Sequence, residues 1–197
     1  LVSVKTKELY SLLLDTKKCE LTVINFWQEK LHIPQGFNWN VLFSFRFGKL
    51  FNNNVKQYSF KLLHRLLPFK ENLVKWKIAS DMTCKQCNEV ETISHVLLYC
   101  PDTKLYWKKI TDTIYRLFHI DIEVNERIIL TGYDVFDQRL ILPNVMLIFA
   151  QYTIYRLYII SNYTQKVMNV YKLFADFKRE LIFNLKFLVK KKLIDFT

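Results

Sequence analysis

Four side chains of the kind that bind zinc, Cys84, Cys87, His95 and Cys100, fall within seventeen consecutive residues, and no other feature restricts the fold of this chain as much. Three of its four cysteines are spent there. A Cys-x-x-Cys turn presents two thiolates to one ion, and the His-x4-Cys that follows adds a nitrogen and a third sulfur, the tetrahedral set that Zn2+ prefers. Such a set is closed, with no position left for substrate or activated water, so it points to a structural metal. Two plainer readings stand beside it: a Cys84/Cys87 redox pair, and a packed histidine on an apolar helix. The close spacing of all four ligands favours zinc.

The 197 residues are 51% apolar, enough to bury a core, and fit one large domain or two small ones. With three Gly and four Pro among them, there are too few turn residues for a sandwich or barrel. The chain is expected to be mainly α: an irregular helical domain with a small Cys-Cys-His-Cys zinc knuckle and two long C-terminal helices. Three regions are expected, with residues 1–54 as an N-terminal helical segment, 55–118 as the zinc-binding module and 119–197 as a basic helical hairpin. Leu1 in place of an initiator Met suggests a piece of a longer protein, and the N-terminus lacks the apolar core of a secretory signal. The longest apolar stretch, Val145 to Ile160, is interrupted by Gln151 and Arg156 and reads as too short and too polar to span a membrane. Reduced cysteines fit the cytoplasm or the nucleus.

Helical spacing predicts elements over Thr6 to Leu14, from Thr22 to the break at Ile33-Pro34-Gln35-Gly36, and over Trp39 to Phe47 with Asn38 as N-cap. A helix from Val55 to Leu67, stopped by Pro68, turns Val55, Tyr58, Leu62, Leu63 and Leu66 inward. Phe69 to Ile78 adds a turn or two with Leu73 and Trp76 inward. Glu91 to Cys100 reads as a short helix ended by Pro101, with His95 and Tyr99 on one face. Asp102 caps a helix from Thr103 to Phe118 whose stripe is Leu105, Trp107, Ile110, Ile114 and Leu117; Pro143 opens one to Ile160; Thr164 caps a last one that reaches Lys192.

Lys and Arg number 29 against 18 Asp and Glu, a formal charge of +11. The excess gathers upstream of the motif, in Lys56, Lys61, Arg65, Lys70, Lys75, Lys77 and Lys85, and at the end, in Lys186, Lys190, Lys191 and Lys192. Such a field favours a polyanion, nucleic acid before an acidic membrane surface, although any single lysine is more often a solvating residue. Trp76, between Lys75 and Lys77, is the aromatic best placed to stack on a base; the others at helical spacing are assigned to the core. His32, His64 and His119 have no comparable neighbours.

The run Tyr58-Ser-Phe-Lys-Leu-Leu-His-Arg-Leu-Leu-Pro-Phe-Lys-Glu-Asn-Leu73, then Cys84 and Cys87, Glu91-Thr-Ile-Ser-His95, Cys100 and Trp107, resembles the zinc-binding region that follows the reverse transcriptase in LINE-type, non-LTR retrotransposon polyproteins. The opening Thr6-Lys-Glu-Leu-Tyr10 resembles the stretch just upstream of that region. The resemblance covers residues 5 to 110 and implies a C-terminal module with structural Zn2+ that binds template RNA, with target DNA as a further partner, beside the upstream polymerase. The chain itself has no adjacent Asp-Asp pair, no Gly-rich phosphate loop and no nucleophile with a matched base, so it is expected to be non-enzymatic. Candidate nucleic-acid contacts are Lys56, Arg65, Lys70, Lys75, Trp76, Lys77, Lys85, Lys190, Lys191 and Lys192. The alternatives are a zinc-stabilised docking module that packs on the polymerase, and a transposon-derived host protein that binds something else.

Overall fold

A computed structural model describes residues 22–164 and 169–190. The expected helix over Thr6 to Leu14, together with Cys19, Lys191 and Lys192, lies outside them. The chain divides into two compact units, Leu1–Phe37 and Asn38–Thr197. In the first, α1 (Thr22–Leu31) ends at His32, whose φ of 49° is left-handed, two residues before Pro34.

The second unit is helical, and among its described residues the only strand-like pairing is one antiparallel bridge, Thr83 to Val90. Its helices are α2 (Trp39–Phe47), α3 (Asn53–Leu63), α4 (Lys70–Lys75), α5 (Pro101–Phe118), α6 (Glu126–Thr131), α7 (Ile141–Thr164) and α8 (Val170–Lys190), with a π-turn at His95–Tyr99 before α5. Asn38, Asn52 and Asn125 cap α2, α3 and α6 by accepting the backbone N–H three residues on. The mainly α fold, its small Cys3His cluster and its long C-terminal helices are as the sequence predicts.

At the centre lies α7. It is apolar all round, and Val145 through Ala150, Ile154, Leu157 and Tyr158 are buried against α3, α5 and α8. The helical run Gln138–Asn162 is in fact long and apolar enough to cross a membrane by length and composition, which corrects the expectation from Val145 to Ile160. Some 72% of its apolar window is buried inside the fold, the condition of a core helix. Pro143 sits in its first turn, where a missing N–H is harmless. Thr164 belongs to the end of α7 and does not cap α8; Asn169 does, accepting from Tyr171 and Lys172 N–H at 2.8 and 3.2 Å.

Two helices stop earlier than expected, for one reason. After α3, Arg65 turns left-handed (φ 57°), Leu66 N–H bonds Lys61 O at 2.7 Å and Arg65 N–H bonds Leu62 O at 3.0 Å. After α4, Lys77 does the same (φ 60°), with Ile78 N–H on Leu73 O and Lys77 N–H on Val74 O. Both are Schellman caps with a basic residue where glycine is usual. The reversals expose Leu66 and Trp76, both expected inward, and leave Leu73 half-buried. Buried Asn72 joins the two corners, donating to Arg65 O and Leu67 O at 2.7 Å each. On α5 the buried face is Thr103, Tyr106, Trp107, Ile110 and Ile114, while Leu105 and Leu117 are exposed. Leu105 lies about 200° round the helix from Trp107, and Leu117 falls in the last turn, past the last buried position.

Arg46 of α2 is wholly buried, and its guanidinium donates to the carbonyls of Ile129 (2.5 Å) and Leu130 (2.7 and 3.0 Å), closing the C-terminal end of α6. Burial lowers its pKa to about 10, which still leaves it charged at neutral pH. Arg46→Leu strands both carbonyls and is expected to lower the unfolding free energy by about 3 kcal/mol in urea melts. A loss under about 0.5 kcal/mol, the range of an ordinary surface change, contradicts this account.

Candidate metal centre

Two local structures bring the four ligands together. The first is a tight hairpin, in which Cys84 N–H bonds Glu89 O (2.7 Å), Asn88 N–H bonds Cys84 O (2.9 Å) and Glu91 N–H bonds Met82 O (2.6 Å). Asn88 takes the left-handed conformation at its tip (φ 63°), one that Asn tolerates better than most residues. Within the turn Gln86 N–H points at Cys84 Sγ, 3.5 Å away. Lys70 clamps the hairpin from α4, donating to Asp81 Oδ1 (2.9 Å) and Thr83 O (2.5 Å) and holding Asp81 below the usual carboxylate range.

The second is the π-turn. Around an α-helix, residues five apart lie about 140° from each other, so His95 and Cys100 would face different ways. Here Cys100 N–H bonds His95 O at 2.8 Å, an i to i+5 closure that sets both on the ligand side. The same widening turns Tyr99 out to solvent, which corrects the expectation that His95 and Tyr99 share a face. Thr92 starts the turn, its hydroxyl accepting His95 N–H at 3.0 Å. Cys100 then serves as N-cap of α5 with Pro101 at its first position, where Pro is favoured; Asp102 is not the cap.

The wide turn leaves buried carbonyls that α5 satisfies: Thr103 Oγ1 donates to Val96 O at 3.0 Å and Trp107 Nε1 to Leu97 O at 2.7 Å. A reciprocal exchange joins α4 to the segment before the turn. Glu91 Oε1 accepts Lys70 N–H at 2.9 Å, and Glu71 Oε2 accepts Ile93 N–H at 3.1 Å. Glu91 is buried and also accepts the Tyr158 hydroxyl of α7, whose pKa burial raises further above the tyrosine range. None of these supporting roles was read from the sequence, although Glu91, Thr92 and Trp107 stand in the run that carries the resemblance.

One ligand atom from each of Cys84, Cys87, His95 and Cys100 lies within 4.8 Å of all the others. Cys87 Sγ stands 3.3 Å from His95 Nε2. Zn–S arms of about 2.3 Å and a Zn–N arm of about 2.0 Å make tetrahedral edges of roughly 3.5–3.8 Å, so the group is nearly closed on an ion already. Donor type, number and spacing all fit a four-coordinate Zn2+ site. Burial pushes the Cys84 thiol up and the Cys100 thiol to about 12, the latter helped by neighbouring Cys84. Burial also lowers the pKa of His95, which keeps it in the neutral form that binds metal.

Of the other residues expected at a site, Lys75 is exposed and paired with Glu71 at 2.8 Å, Trp76 is 44% exposed, and Lys77, Lys85, Arg65 and Lys190 are exposed. Lys56 is half-buried on α3. Lys70, engaged with Asp81 and Thr83, has a side chain only 12% exposed.

Zinc must displace protons from Cys84 and Cys100, so titrating it into weakly buffered metal-free protein at neutral pH should release at least two protons per ion. Affinity should fall steadily with acidification, because each thiol regains its proton; a pH-independent affinity contradicts the assignment. Glu91→Ala strands Lys70 N–H and Tyr158 O–H and is expected to lower stability by about 2–4 kcal/mol in urea melts, with Glu91→Gln costing less.

No curated protein and no solved structure matched the chain. Residues 5–107 match the family described as zinc-binding in reverse transcriptase, just over half of the 197 residues and a span containing all four ligands. On that match and this geometry, the chain belongs to the family of zinc-binding regions of reverse transcriptases.

Proposed function

We propose that the chain is the non-catalytic C-terminal nucleic-acid-binding module of a LINE-type, non-LTR retrotransposon reverse transcriptase. It holds template RNA, with target DNA as a second ligand, during target-primed reverse transcription, and polymerase and endonuclease reside elsewhere in the polyprotein. In this reading residues 55–118 form the module, 1–54 lead from the upstream polymerase, 119–197 add a basic helical hairpin, and the ribonucleoprotein works in nucleus and cytoplasm.

The observation that carries the proposal is the corner beside the zinc hairpin. Lys75, Trp76 and Lys77 are all exposed there, on a left-handed cap that α4 makes immediately before the metal-binding segment. Zinc fixes the hairpin, Lys70 and the Glu91/Glu71 exchange fix α4 to it, and the corner is thereby held rigid for phosphate contact. The docking alternative draws support from Lys70, whose charge is engaged within the protein, and from Ile182 and Phe183, 52% and 69% exposed on α8.

Charge reversal separates the two. Lys75→Glu with Lys77→Glu should weaken binding of single-stranded RNA about tenfold and flatten the salt dependence by about 1.4 in log–log slope, with the melting temperature nearly unchanged. Unchanged RNA affinity in fluorescence anisotropy favours docking. Absence of RNA and DNA binding by the unmutated chain at low salt overturns the proposal.

A further inference from the structure

A second basic and aromatic surface lies away from the zinc, between α5 and α8. The helices run antiparallel, since Tyr106 meets Phe177 (ring centroids 6.3 Å apart) while Lys109, further along α5, meets Tyr171, further back on α8. Between them opens a groove of about 460 Å3 lined by Lys109, Asp112, Tyr115, Arg116 and Phe174.

Its chemistry is unusual for an idle surface. Tyr115 is 55% and Tyr171 75% exposed, so a phenol ring from each of the two helices faces solvent. Cations sit against the aromatic wall: Lys109 Nζ is 5.3 Å from the Tyr171 ring centre and Lys178 Nζ 5.0 Å from that of Phe174. Arg116 uses two of its five donors on its own helix, to Asp112 O at 3.2 Å and Thr113 Oγ1 at 3.4 Å, and no carboxylate among the described residues forms an ion pair with it or with Lys109. Asp112 is the one acid in the lining. A protein partner covering this groove would have to desolvate two cations or supply carboxylates for them. An unpaired strand of nucleic acid supplies phosphates for the cations and flat bases for the rings in one ligand.

We propose that the α5–α8 groove binds single-stranded nucleic acid, with Tyr115 and Tyr171 stacking on bases and Lys109 and Arg116 contacting phosphates. Phe174 adds an apolar ring to the lining, and Tyr171 stands beside it against Lys109. The proposal rests on the nucleic-acid reading above and adds a site that the zinc-proximal lysines do not include. Duplex nucleic acid keeps its bases stacked internally, so the groove discriminates in favour of single strands.

The test uses the full zinc-loaded chain and a fluorescein-labelled, mixed-sequence RNA of about 12 nucleotides, followed by anisotropy. Tyr115→Ala with Tyr171→Ala should weaken binding about tenfold or more, and Tyr115→Phe with Tyr171→Phe, which keeps the rings, should restore it. Lys109→Gln with Arg116→Gln should reduce the salt slope by about 1.4. If the unmutated chain binds but the alanine pair binds equally well, this inference fails and the nucleic-acid reading survives. If alanine and phenylalanine pairs weaken binding alike, stacking is not the mechanism and the inference fails again. If the unmutated chain binds no nucleic acid, both fail together.

Discussion

The hydrogen bond from Cys100 N–H to His95 O is the constraint on which the rest of this structure depends. Two ligands five residues apart cannot face one ion from a regular α-helix, and a single i to i+5 closure removes the conflict. Everything nearby answers the consequences of that widened turn. Thr103 and Trp107 satisfy its buried carbonyls, Thr92 satisfies its first N–H, and Pro101 both forbids its continuation and starts α5 in the favoured position. Val96, Leu97 and Leu98, carried by the same turn, pack into the core of α5 and α7.

The metal site is therefore continuous with the hydrophobic core. Glu91 makes the join explicit, because one buried carboxylate accepts from α4 and from α7 while its own backbone closes the zinc hairpin. Loss of metal is expected to free more than a loop, because the segment carrying the ligands is also hydrogen-bonded to α4 beside the Lys75–Trp76–Lys77 corner. The two surfaces argued to meet nucleic acid differ in this respect. The zinc-proximal corner adjoins the hairpin that carries two of the ligands and is tied to it by Lys70, whereas the α5–α8 groove is built on the long helices of the core, beyond the matched residues 5–107.

Much of this was legible in the sequence. Ligand identity followed from spacing and residue type, and the helical class from apolar periodicity with scarce Gly and Pro. What escaped were the ends of helices and the supports of the site. With three glycines in 197 residues, left-handed caps fall on His32, Arg65, Lys77 and His119; Arg65 and Lys77 carry no stop signal, so α3 and α4 read too long and Leu66 and Trp76 read as buried. A π-turn has no sequence signature beyond the requirement that two ligands converge, and that requirement was visible only once the site was granted. Arg46, a buried guanidinium closing a helix over eighty residues away, leaves no local pattern at all. Tyr115 and Tyr171 were not singled out, because helical spacing says nothing about which face a neighbouring helix will cover.

The central claim is that Cys84, Cys87, His95 and Cys100 hold one zinc ion in a closed set. Zinc K-edge X-ray absorption of the purified chain tests it most directly. The account predicts one zinc per chain with three sulfur neighbours at about 2.3 Å and one nitrogen near 2.0 Å. A spectrum with oxygen from water in the first shell, or with fewer than three sulfurs, would contradict it.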